Sequence, residues 1–234
     1  VPLVEVYGLT ESTGMITGQP LDAVAFGSVG TPILGVEHRI GARGELLVHG
    51  EMVFAGYYKN PEATADAIRD GWLHTGDVVE ERDGQLYIVD RLKDIMITAG
   101  GKNLTPSEIE KAMKSSPYIK ECIVVADGRK FVSALIQIDY ETVSRWAEGR
   151  QIPFTHFRSL VEHPEVRALI EAEIARGNAQ LAQVSHIRRF HLLSKELDHD
   201  DGEVTATMKV RRASVYKTYA DVIEAMYRGG AAHA

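Results

Sequence analysis

Along the first 90 positions the apolar residues come in short runs that end on glycine or on polar turns. Residues 3–7 (LVEVY) predict a strand that stops at Gly8, and residues 44–49 and 85–90 predict two more between glycines. Between them, Asn60-Pro61-Glu62 predicts a helix reaching about Arg69. Asn60 is its cap, and Pro61 stands in the first turn, where its missing N–H costs nothing. The segment Gly71–Asp77 reads as a glycine-flanked turn. The pattern changes after Arg91. Residues 94–99 predict a strand, Gly100-Gly101 a turn, and Thr105-Pro106-Ser107-Glu108 a helix start with Thr105 as cap and Glu108 reaching back. Ile109, Ala112 and Met113 then form one apolar stripe. Residues 119–126 and 131–138 predict strands around Asp127-Gly128, with a further strand at 186–194. Helices are expected at 140–148, 164–182 and 214–227, and an acidic, mobile loop at 196–205. The fold class expected is therefore α/β (α+β): a small β-rich subdomain over 1–90, then a compact mixed α/β domain over 91–234.

Composition narrows the partners. The 234 residues carry 26 Lys and Arg against 33 Asp and Glu, a formal net charge of -7. That balance argues against a nucleic-acid binder, which presents a basic face. The single cysteine, Cys122, excludes an intrachain disulfide and fits a reducing compartment. It lies in an apolar run, as a buried core thiol does. No run approaches the roughly 20 apolar residues that a membrane-spanning helix needs. The chain starts at Val1 without methionine and enters a dense motif within a few residues, which reads as a cut inside a longer chain.

Four segments carry candidate chemistry. In Tyr7-Gly8-Leu9-Thr10-Glu11-Ser12 a strand tip presents a hydroxyl and a carboxylate together. Such a pair can contact phosphate and hold Mg2+, a hard cation that takes oxygen ligands; a capping loop explains it equally well. Asp77, in Trp72-Leu73-His74-Thr75-Gly76-Asp77, can accept both hydroxyls of a ribose, or simply close an Asx-type turn. Asp90-Arg91-Leu92-Lys93-Asp94, leading to Gly100-Gly101-Lys102-Asn103, marks a boundary between moving parts or a solvated charge cluster. Lys209, in Gly202-Glu203-Val204-Thr205-Ala206-Thr207-Met208-Lys209-Val210-Arg211-Arg212, is a mobile cation for phosphate or carboxylate oxygens, or part of a surface loop before the last helix.

The order of these segments is more specific than any one of them. Together with Gly44-Glu45-Leu46 and Gly56-Tyr57-Tyr58-Lys59-Asn60-Pro61, the series resembles the successive core motifs of the acyl-adenylate-forming superfamily, over nearly the whole chain. The segment before Lys209 reads Glu-Val-Thr-Ala-Thr-Met-Lys rather than the Pro-Lys-Thr-x-x-Gly-Lys of many members. Its Thr-x-Thr-hydrophobic-Lys form is similar to the long-chain fatty acid–CoA ligase branch, without the proline common there.

The resemblance implies a carboxyl-terminal part of an enzyme that uses ATP, Mg2+ and coenzyme A with a fatty acid. The chain would be inactive alone, because the phosphate loop and acyl pocket belong to a missing N-terminal domain. It implies that Thr10 and Glu11 contact phosphate, with Glu11 on the metal, and that Tyr7 and Gly8 line the adenine and acyl-phosphate wall. Asp77 and Arg91 would hold the ribose, Lys93 would be the hinge, Gly100 and Gly101 would line the pantetheine path, and Lys209 would serve adenylation. Lys102 and Arg211 are lesser candidates for that cation. A fatty acyl-AMP ligase, an aryl-CoA ligase and a non-catalytic lid module are the competing readings. The location implied is cytoplasmic, with peripheral contact to the membranes where long-chain substrates reside.

Overall fold

The computed structural model describes residues 3–228. The chain divides into two compact units, Val1–Ile95 and Met96–Ala234.

In the amino-terminal unit, β1 (Val6–Leu9), β2 (Gly14–Gly18) and β3 (Thr31–Pro32) form an antiparallel sheet in that order. Gly8 does not stop the first strand but lies within it, beside a bulge between Tyr7 and Gly8. A Cβ on Gly8 would stand 1.7 Å from the Gly14 carbonyl oxygen, so the two strands approach only because glycine is there. The second sheet contains β4 (Glu37–Ile40), β5 (Glu45–His49), β6 (Ile68–Arg69), β7 (Trp72–Arg82) and β8 (Gln85–Arg91). Its order is β4-β5-β7-β6, with β8 also paired to β7. Helix α1 (Pro61–Ala67) starts as expected, with the Asn60 side chain accepting the Ala63 N–H at 3.1 Å. Leu86 ties the two sheets, receiving the Val29 N–H at 2.8 Å and donating to Gly30 O at 2.9 Å. Ile16, Leu46, Val48, Leu73, Val79 and Leu86 fill the core between them.

The segment read as a turn at Gly71–Asp77 is instead the first half of β7, an 11-residue strand. His74 pairs with Leu47 and Val78 with Glu45, so residues 75–77 stand opposite Leu46 alone. The glycine signal marks a bulge inside a strand, with Gly76 at φ 69°. Bulges of this kind bend a strand and re-aim its side chains.

The carboxyl-terminal unit opens on a minimal ribbon, β9 (Met96–Ile97) against β10 (Asn103–Leu104). The strand expected over 94–99 is thus only two residues long, because the chain turns at Thr98–Gly101, where the Gly101 N–H reaches Thr98 O at 2.8 Å. Helix α2 (Pro106–Lys114) begins where Pro106 allows, but Thr105 makes no side-chain cap bond. Then follow β11 (Ile119–Val125), β12 (Val132–Ile138), α3 (Tyr140–Glu148), α4 (Phe157–Val161), α5 (Pro164–Asn178), β13 (Ile187–Leu192), α6 (Arg212–Thr218) and α7 (Ala220–Arg228). Helix α5 ends four residues before its expected limit, since the Asn178 amide bonds both Ile187 N–H (2.9 Å) and Ile187 O (3.0 Å). The single helix expected over 214–227 is two, broken at Tyr219 (φ -104°, ψ 21°).

The sheet order is β11-β12-β13, antiparallel then parallel. Every β12 residue is buried, as a strand covered on both faces must be. Alternation sorts the side chains. Cys122, Val124, Ala134 and Ile136 join the core with Ile109, Met113 and Ile170, while Ile123, Val125 and Leu135 join the other core with Val215, Ile223 and Met226. Cys122 is the buried core thiol expected, and burial pushes its ionisation far upward.

Candidate functional site

In the amino-terminal unit the β7 bulge brings three distant residues together. Asp77 is 3% exposed, and each carboxylate oxygen has a partner. The Tyr7 hydroxyl donates to Oδ2 at 2.5 Å, and Arg91 Nε donates to Oδ1 at 2.8 Å. Arg91 is placed by strand register, directly across from Asp77 on β8. Thr75 supports the bulge: its hydroxyl donates to Leu46 O (2.7 Å) and accepts the Asp77 N–H (3.1 Å). Glu45 closes it from β5, taking the Gly76 N–H at 3.1 Å on one oxygen and His74 Nδ1 at 2.9 Å on the other.

The electrostatics follow from burial. Desolvation raises the Asp77 carboxyl above its ordinary range, against the opposing pull of Tyr7 and Arg91. Burial, then the Asp77 carboxylate, drives the Tyr7 hydroxyl far above its usual value. Tyr7 is therefore a fixed donor that orients Asp77, and not a base. The half-exposed Arg91 side chain, Gly76, Leu92, Lys93 and Arg43 line an adjacent cavity of about 370 Å³.

Thr10 and Glu11 lie in a single 3₁₀ turn between β1 and β2. Glu11 is held from outside this hairpin, because Tyr57 donates its hydroxyl to Oε1 at 2.7 Å and Phe54 its N–H to the Glu11 carbonyl at 2.8 Å. Sequence reasoning did not single out Tyr57; its position in the Gly-Tyr-Tyr-Lys stretch was the available signal. Among the described residues no group of three His, Cys, Asp or Glu could hold a metal ion. A lone carboxylate nevertheless suits Mg2+, which keeps several waters and takes further oxygens from substrate phosphates. Lys93 is exposed in the turn after β8, where Asp94 N–H and Ile95 N–H return to Arg91 O at 2.9 and 3.2 Å. Gly101 needs its glycine backbone (φ 74°); an added Cβ at Gly100 would meet nothing nearer than Thr98 Oγ1 at 3.9 Å.

In the carboxyl-terminal unit Lys209 sits on a narrow hairpin closed by the Val204–Val210 bridge. The Thr205 N–H donates to Lys209 O (2.8 Å), and the Lys209 N–H to Thr205 Oγ1 (3.1 Å). The first threonine of Thr-x-Thr-x-Lys thus fixes the lysine backbone. The tip turns at Met208 (φ 60°). The hairpin is anchored at its base. Glu203 is fully buried, takes Lys195 Nζ at 2.8 Å and gives its carbonyl to Arg211 N–H at 2.8 Å. Arg212 pairs with Glu110 at 2.8 Å. Lys102 and Arg211, the other cations considered, are both exposed.

A family model described as the AMP-binding enzyme C-terminal domain matches residues 93–231. The long-chain-fatty-acid–CoA ligase FadD15 of Mycobacterium bovis is 38% identical over 227 residues, covering 96% of this chain. Long chain acyl-CoA synthetase 1 of Arabidopsis thaliana is 32% identical over 97% of this chain. The chain spans 38% and 37% of the lengths of these two relatives. Among solved structures, the adenylation domain of a Mycobacterium chelonae carboxylate reductase aligns with TM-score 0.75 at 24% identity, over 97% of this chain and 35% of that one. O-succinylbenzoate coenzyme A synthetase of Bacillus subtilis, solved with AMP, aligns with TM-score 0.66 at 23% identity, over 91% of this chain and 40% of that one. No helix among the described residues is long and apolar enough to cross a membrane. The chain belongs to the family of AMP-binding enzymes, with residues 93–231 as its C-terminal domain.

Proposed function

We propose that this chain is the carboxyl-terminal part of an ATP-dependent long-chain fatty acid–CoA ligase. The observation that carries the reading is the buried Tyr7–Asp77–Arg91 cluster beside an open cavity. A carboxylate oriented on both oxygens, with a second lone pair left on each, suits the paired hydroxyls of a ribose. Arg91 shields it and can turn toward the same sugar. The choice of a fatty acid over other carboxylic acids rests on the similarity to the mycobacterial and plant ligases.

The reaction has two steps. A fatty acid carboxylate oxygen attacks the α-phosphorus of ATP, forming acyl-AMP as the bond to pyrophosphate breaks. The coenzyme A thiol, losing its proton, then attacks the acyl carbon and releases AMP. The first step develops negative charge around phosphorus, where the ammonium of Lys209 stabilises it electrostatically. Thr10 orients phosphate oxygens by hydrogen bonding. Glu11, steadied by Tyr57, would hold Mg2+, which supplies charge neutralisation on the phosphates when bound. The second step requires Lys209 to leave and the thiol to enter. Rotation at Lys93, just before the division between the two units, accomplishes both, with Gly100 and Gly101 beside the pantetheine arm.

The test is product analysis with the complete enzyme and acids of graded length. Long-chain acids are expected to give acyl-CoA, AMP and pyrophosphate in equal amounts. Acyl-AMP accumulating without thioester would assign a fatty acyl-AMP ligase, preference for aromatic acids an aryl-CoA ligase, and no turnover a non-catalytic lid module.

A further inference from the structure

The hairpin that carries Lys209 borders a cavity of about 310 Å³ whose wall is dense in charge: Glu110, Lys114, Glu121, Lys209 and Arg212. Two carboxylates and three cations share one small space, and their pairing is sorted. Glu121 takes Lys114 Nζ at 3.0 Å on both oxygens. Glu110 takes Arg212 Nη1 at 2.8 Å and also the Val124 N–H at 2.9 Å. The same Nη1 of Arg212 also donates to the Val124 carbonyl at 3.2 Å, which the Tyr216 hydroxyl reaches as well. Both carboxylates are committed, and Lys209 makes no ion pair among the described residues.

The position of Arg212 gives this sorting a mechanical side. Arg212 is three residues past Lys209 and opens α6, while Glu110 lies on α2 and Val124 on β11. The pair therefore fastens one root of the hairpin to the two elements beneath it. Both side chains are mostly buried, at 24% and 18% exposure, so an unpaired partner would seek the nearest opposite charge. For Glu110 the cations lining the same cavity are Lys114, already held by Glu121, and Lys209.

We propose that Arg212 and Glu110 are a positioning pair for Lys209: their ion pair anchors the hairpin root and keeps the Glu110 carboxylate from neutralising the Lys209 ammonium. The proposal rests on the reading of Lys209 as the adenylation cation. It yields an asymmetry that a plain structural brace does not. Losing Arg212 both loosens the root and frees a carboxylate to capture Lys209. Losing Glu110 as well removes the captor.

The test uses the complete enzyme with Arg212→Gln, Glu110→Gln, the double variant and Lys209→Ala in parallel. Acyl-AMP formation is measured in a single turnover, and thioester formation is measured separately from supplied acyl-AMP and coenzyme A. Arg212→Gln is expected to slow acyl-AMP formation about 100-fold, the scale of a misplaced catalytic group, with thioester formation changed less than about threefold. Adding Glu110→Gln should restore about tenfold of that loss. A double variant no faster than Arg212→Gln overturns the proposal, as does an equal loss in both half-reactions. If Arg212→Gln does not fold, Arg212→Lys keeps the charge but replaces the planar guanidinium with a compact ammonium. It should then slow acyl-AMP formation alone by about tenfold, and an equal effect on both steps again overturns the pair. Lys209→Ala separates the two failures. Unchanged acyl-AMP formation in that variant refutes the role of Lys209 and the pair with it, whereas loss there with no effect of Arg212→Gln refutes the pair alone.

Discussion

Asp77 lies in the middle of a long strand, paired with Arg91 on β8 but set off the β5 ladder by the bulge at 75–77. Its burial makes the charge costly and its two donors indispensable. Tyr7→Phe removes one donor and leaves the shape intact. It should destabilise this chain by about 1.5–3 kcal/mol in urea denaturation, the range for a hydrogen bond to a charged group; a change within error would mean that Asp77 does not depend on Tyr7. Two glycines give a contrasting pair. Gly8→Ala meets the Gly14 carbonyl and should cost about 1–3 kcal/mol. Gly100→Ala meets open space and should leave the melting temperature unchanged, so any slowing of thioester formation in the complete enzyme would report its place beside the thiol. A fall in stability as large as that of Gly8→Ala would remove that interpretation. Asp77, Arg91, Thr10, Glu11 and Lys209 could be named from the sequence because each sits in a compact motif. Tyr57 and Arg212 lie within such stretches and Glu110 does not, but the roles of all three lie in partners 46 and 102 residues away.

Elements were legible where the hydrophobic pattern and the covering were both simple. Strands β11 and β12 read as strands because most of their residues are apolar, as a sheet covered by helices on both faces requires. Strand β7 did not, since its glycine mimics a turn, and the β9–β10 ribbon pairs over too few residues to show a period. Helix α3 offers a clean test at this scale. Asp139 caps it, accepting hydrogen bonds from Thr142, including the N–H at 2.9 Å, and these hold its carboxyl below the usual carboxylate range. The folded state therefore binds this proton less readily than the unfolded chain. The resulting stability is fully present above the unfolded value near about pH 4 and is lost as pH falls through the lower folded value. Asp139→Ala should cost about 1 kcal/mol at pH 7. That gap should narrow below about pH 4, as read from urea midpoints of both proteins across pH; a gap that widens in acid would reverse the sign of the argument.

At the scale of the whole molecule the chain is two units with separate cores, and the proposed chemistry draws on residues of both. Asp77, Arg91 and Glu11 belong to the first unit, and Lys209, on its anchored hairpin, belongs to the second. The formal charge of -7 gives an anionic ligand no general attraction, so the proposed ATP recognition would rest on local cations. A lysine needed for one half-reaction and withdrawn for the other is the central claim. It is tested most directly by measuring both half-reactions of the complete enzyme carrying Lys209→Ala. Acyl-AMP formation should fall at least about 100-fold, as on removing a charge that stabilises a transition state. Transfer from supplied acyl-AMP to coenzyme A should stay within about threefold of the unaltered enzyme. Intact acyl-AMP formation with thioester formation lost would contradict the account.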